Sequence, residues 1–105
     1  MRKVYLAIPY TGIEDVSFEV ANIVAARLMN EGNIVFSPIS HSHHIAAEGG
    51  LDKGWDYWSK FDRAFIEWCD VIVVVRLDGW NKSKGVREEI KIGLGLGKYI
   101  EYIDP

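Results

Sequence analysis

The chain has 105 residues, 49% apolar and 26% charged, which is the profile of a soluble globular protein and excludes disorder and a collagen-like repeat. Its formal net charge of −3, from 12 basic and 15 acidic side chains, argues against a surface for nucleic acid or anionic membrane. One cysteine allows no internal disulfide, no apolar run approaches the roughly 18 residues that span a bilayer, and no leader follows Met1-Arg2-Lys3. One cytoplasmic domain over residues 1–105 is therefore expected.

Val4-Tyr5-Leu6-Ala7-Ile8 is an apolar run stopped by Pro9 and Gly12, the pattern of a buried strand. Asp15 or Ser17 is placed to cap a following helix, in which Phe18, Ala21, Val24, Ala25 and Leu28 recur at helical spacing and Gly32 marks the end. Asn33 to Phe36 reads as a second strand. Residues 37–53, with Pro38, Gly49, Gly50 and three histidines, read as a long functional loop. An aromatic-rich helix is predicted over 54–69, followed by the strand Val71–Val75, which lacks polar alternation and should be covered on both faces. A turn over Leu77–Asn81, a helix from Ser83 to Leu96 and a strand around Tyr99–Tyr102 complete the chain.

This alternation predicts an α/β fold: a three-layer, doubly wound parallel sheet of about four strands, Rossmann- or flavodoxin-like, with helices on both faces. Ligands of such sheets bind beyond the carboxyl ends of the strands, here Pro9–Gly12, Ser37–Ile39 and Leu77–Ser83.

Two carboxylates occupy unusual positions. At about 100° per residue, Trp55, Trp58, Asp62, Phe65, Ile66 and Cys69 share one apolar arc, with Asp62 in its middle. Such a carboxylate either bonds a backbone amide or arginine, or lines a ligand cleft. In the next helix, Val86, Ile90, Gly93 and Gly97 define an inner face, and Glu89 lies about 60° from Val86 at its edge. Glu89 is either a stabilising acid near a helix start or a group at the binding edge. Ser83-Lys84-Gly85-Val86 can hold an anion on free amides, or be a simple N-cap.

Asp62, Asp70, the apolar strand after it, and Ser83-x-Gly85-Val86-x-x-Glu89 together resemble the nucleoside 2-deoxyribosyltransferase superfamily, most closely its nucleoside-monophosphate N-glycosidase branch and small phage and bacterial proteins of that fold. Val4-Tyr5-Leu6-Ala7 is similar to the family's first strand. The resemblance implies cleavage or transfer at the N-glycosidic bond of a deoxynucleoside or its 5′-monophosphate. It implies Glu89 as the nucleophile at C1′, Asp62 as the carboxylate near base and sugar, Ser83 near a 5′-phosphate and Tyr5 in the active site. It also implies a homo-oligomer, dimer or tetramer. The sequence departs from the family at Ile8-Pro9-Tyr10-Thr11, where glycine, small polar residues and a phosphate-contacting arginine are expected. Lys84, Arg76 and Lys53 are the basic candidates to replace that arginine.

Other substrate-binding candidates are Pro9 and Tyr10 after the first strand, Lys84 and Gly85 at the helix start, His43, and Trp80 as a stacking platform. His41, His43 and His44 lack further ligands to complete a tetrahedral set, so no metal is expected, nor any cofactor. Cys69, on an apolar face with no base in view, reads as an inert hydrophobe. Trp68, off the main arc, is a candidate interface residue. The expected partner is a small nucleoside or nucleotide. The alternative to an enzyme is a non-catalytic module that senses or sequesters such a ligand in the same cleft.

Overall fold

A computed structural model describes every residue except Lys53. Its elements are β1 (Lys3–Ala7), α1 (Glu14–Asn30), β2 (Ile34–Phe36), α2 (Pro38–Gly49), α3 (Trp55–Trp68), β3 (Val71–Val75), a 3-10 turn (Trp80–Lys82), α4 (Lys84–Gly95) and β4 (Tyr99–Ile103). The four strands are parallel in the order β2-β1-β3-β4. This is the expected α/β architecture.

Strand alternation assigns β1 to two cores. Val4, Leu6 and Ile8 pack with Val71, Val73 and Val75 under the inner face of α1. Tyr5 and Ala7 pack with Ile72, Val74, Ile66 and Val86 under α3 and α4. All five residues of β3 are buried, as its unbroken apolar run requires. Asp70 joins β3 to β1 by accepting the Lys3 amide at 2.9 Å and donating its own to Lys3 O at 2.8 Å. The helix α4 comes close to the sheet at Gly93, where a Cβ would collide with Ile72 Cδ1 and stand 3.2 Å from Ile100 Cδ1.

The chain leaves β1 toward β2 on one side, and β3 and β4 lie on the other. The switch in strand order therefore falls between β1 and β3, and a crevice opens beyond their carboxyl ends.

Three expectations are corrected. Residues 37–53 are not a long loop, because 38–49 form α2. Pro38 is the first helical residue, where its missing amide costs nothing, Ser37 precedes it in extended conformation, and Gly50 closes the helix at φ +63°. Neither Asp15 nor Ser17 caps α1; the N-cap position is Ile13, and the buried Ser17 Oγ donates to the Pro9 carbonyl. Gly97 is not on the packed face of α4 but lies exposed beyond its end at φ +73°.

Candidate active site

The crevice is a cavity of about 720 Å³, within the range of roughly 300–1,000 Å³ common for small-molecule sites. Two buried carboxyl groups reach it, Asp62 at 8% exposure and Glu89 at 6%. The amphipathic arc of α3 carries Asp62 inward beside Ile66. One turn into α4, Glu89 faces the sheet between Val86 and Gly93. Tyr5, fully buried in the middle of β1, connects them: its hydroxyl donates to Glu89 Oε2 and also hydrogen bonds with Asp62.

The three groups titrate together. Burial is the main cause that pushes the Glu89 carboxyl well up, and the neighbouring Asp62 charge adds to it, while the Tyr5 hydrogen bond opposes both. Burial raises Asp62 to about 7, again against the Tyr5 hydrogen bond. Tyr5 itself is held well above the usual phenol range, first by burial and then by the two carboxylates. Two carboxyl groups so coupled release their protons stepwise, leaving one protonated while the other is charged.

The remaining walls come from sequence-distant segments. Pro9 and Tyr10 line the cavity from the β1–α1 connection. His43 enters from α2; its Nδ1 is 2.7 Å from Tyr10 Oη, its Nε2 is 3.4 Å from Asp15 Oδ1, and its ring stacks on Phe18 at 4.5 Å. Ser83, Lys84 and Gly85 line the cavity at the start of α4. Ser83 Oγ accepts the Val86 amide at 3.3 Å, so this hydroxyl serves as the N-cap. Lys84 Nζ lies 3.5 Å from Asp56 Oδ1, with both side chains exposed.

Trp80 stands apart from these residues. It does not line the cavity; its ring packs on the core beneath α4 and lies 5.5 Å from Tyr102, which fixes it on the far side of the 3-10 turn. Arg76 is also elsewhere, with Nε 3.1 Å from Asp104 Oδ1, and Lys53 lies outside the described residues. Cys69 is buried, its Sγ donates to Ile66 O, and burial raises its thiol. Trp68 is 36% exposed with Lys3 Nζ 5.7 Å above its ring. Among the described residues no group of three or more His, Cys, Asp or Glu side chains is placed to hold a metal, and no helix is long and apolar enough to cross a membrane.

Sequence reasoning missed part of the lining. Trp55 and Trp58, read as core, form a wall, and Trp58 Nε1 donates to Asp52 O at 2.6 Å. Asp52, Asp56, Asp78 and Lys82 also face the cavity. Asp78 follows β3 at the predicted binding edge, which was the available signal. Nothing local marks Asp52 or Asp56.

Known proteins bear on this arrangement in two ways. A family model described as "Domain of unknown function (DUF1937)" matches residues 2–103. No curated protein matches the chain. Among solved structures, the 2-desoxiribosyltransferase from Leishmania mexicana is similar at a TM-score of 0.70 and 17% identity, over 99% of this chain and 65% of that one. The chain thus has a nucleoside 2-deoxyribosyltransferase-like fold and spans less than two thirds of that relative's length.

Proposed function

The chain belongs to the DUF1937 family, and from that premise we propose that its cavity cleaves, or transfers across, the N-glycosidic bond of a nucleoside or nucleotide. The observation that carries this reading is the pair of buried carboxyl groups, Asp62 and Glu89, joined through one phenol at the switch point of the sheet. The similarity to a 2-desoxiribosyltransferase supports it.

The phenol has one proton to donate. When it goes to Glu89, a hydrogen bond between Asp62 and the same oxygen requires the proton of Asp62. The resting arrangement is then a protonated Asp62 and a Glu89 carboxylate stabilised by Tyr5. In the reaction, the C1′–N bond breaks with its electron pair going to the base, and the Asp62 proton passes to that base. A Glu89 oxygen bonds to C1′ as oxocarbenium character develops there, giving a glycosyl ester. Water then attacks C1′ and returns a proton to Asp62, or a second base attacks and completes a transfer. In this reading Pro9, Tyr10, His43, Ser83, Lys84 and Gly85 bind substrate, and the protein works as a cytoplasmic homo-oligomer.

Intact-mass spectrometry after incubation with 2′-deoxy-2′-fluoronucleosides tests the ester. A mass gain of one fluorosugar, mapped to the peptide holding Glu89 and absent in Glu89→Ala, is expected. Turnover without any such adduct would remove the nucleophilic role.

The second reading, a binding module without catalysis, is favoured by one feature. The wall at Pro9–Thr11 is bulky, and Tyr10 is tied to His43. It predicts bound but intact nucleoside.

A further inference from the structure

The charge lining the cavity discriminates among the substrates that the proposed reaction allows. Resting on that reading, we propose that Asp52, Asp56 and Asp78 form an acidic rim that makes the site reject a 5′-phosphate and accept the uncharged nucleoside.

The three aspartates are exposed and come from three segments: the approach to α3, its first turn, and the connection after β3. With Asp62 and Glu89 below, five carboxyl groups line the cavity among the described residues, against the ammonium groups of Lys82 and Lys84. One proton shared between Asp62 and Glu89 leaves the balance negative. Lys53 adds at most one positive charge, which does not reverse it.

The features that would hold a phosphate are committed elsewhere. The Ser83 hydroxyl at the start of α4 accepts the Val86 amide. Lys84 is the ion-pair partner of Asp56. No arginine lines the cavity among the described residues, and Arg76 is bonded to Asp104. A phosphate monoester brings about −1.5 to −2 charges at neutral pH. It would meet a rim of its own sign without the bidentate donors that offset such repulsion. A neutral sugar 5′-hydroxyl pays no such cost and finds acceptors in the same carboxylates. Specificity here arises by repulsion of the wrong ligand as much as by attraction of the right one.

The test measures kcat/KM for base release from the common 2′-deoxynucleosides and their 5′-monophosphates at pH 8, at low and at physiological ionic strength. The nucleoside is expected to be favoured by about tenfold or more at low salt, with the gap narrowing as salt screens the rim. It should narrow again in an Asp56→Asn/Asp78→Asn double variant, whose substitutions sit on exposed positions and leave the fold intact. A monophosphate used as well as the nucleoside, or a ratio unmoved by both salt and the double variant, overturns the proposal. Equilibrium binding to Glu89→Gln, followed by fluorescence of Trp55 and Trp58 in the wall, separates the two claims. Nucleoside that binds more tightly than monophosphate but is never cleaved by the wild type sustains the rim and defeats the glycosidic reading. Cleavage with equal binding defeats the rim alone, and binding of neither ligand defeats both.

Discussion

One phenol proton serves two buried carboxyl groups at the base of the cavity. Tyr5 donates to Glu89 and opposes the rise that burial imposes on both Glu89 and Asp62. Tyr5→Phe removes that donor and lets both carboxyls rise further. In the proposed reaction kcat/KM should fall by about 10–100-fold, the worth of a hydrogen bond to a charged group. The acid limb of its pH profile should also move upward, because Glu89 then needs a higher pH to ionise. An unmoved acid limb would deny Tyr5 this role. Asp62 makes a separate prediction about stability. Its folded value is about 7, above the model value of 3.8. Below the lower value both states hold the proton and its stabilising effect is complete. Between the two, the folded chain binds a proton the unfolded chain has released, so stability falls as pH rises toward 7. Asp62→Asn should flatten that fall and exceed the wild type above pH 7 by on the order of a few kcal/mol. Parallel urea-unfolding curves for the two proteins from pH 4 to 8 would contradict it.

Among the elements, α4 is the most constrained, because it must place Glu89 against the sheet. Gly93 allows the approach, with Ile72 and Ile100 occupying the space a side chain would need. Gly93→Val should overpack this contact and destabilise the protein by about 1–3 kcal/mol, seen as a lower urea midpoint with an unchanged slope. An unchanged midpoint would mean that α4 can shift without cost. The strands β1 and β3 and the inward faces of α3 and α4 were legible because their apolar period matches their burial, and that same period exposed Asp62 and Glu89 as misplaced acids. The helix α2 was not legible. Pro38 and the Gly49-Gly50 pair read as breakers, whereas in the fold they begin and end a helix whose buried Ser42 and Ala46 are too small and polar to show a clear stripe. Missing α2 also hid the role of His43, which its helix carries against Tyr10 and Phe18.

At the scale of the whole molecule, topology assembles the site. The order β2-β1-β3-β4 puts the exit of β1 beside that of β3, and their connections lead to α1 and α4. Tyr5, Asp62 and Glu89 come from three elements far apart in the chain, and Tyr5 entered the candidate site only through a family resemblance, since a buried strand tyrosine looks like core. The acidic rim depends on long-range folding in the same way, and no local pattern announces it. Trp80 shows the reverse error: its position at the binding edge was legible, but the 3-10 turn carries its ring toward Tyr102 instead of the cavity. The central claim is that these carboxyl groups break a glycosidic bond. The most direct measurement is chromatography of free base after incubation with a panel of ribo- and deoxynucleosides and their 5′-monophosphates, beside Glu89→Ala. The account predicts base released by the wild type and not by a folded Glu89→Ala. Intact substrate with a folded wild type that still binds it, or equal release by the variant, would contradict the account.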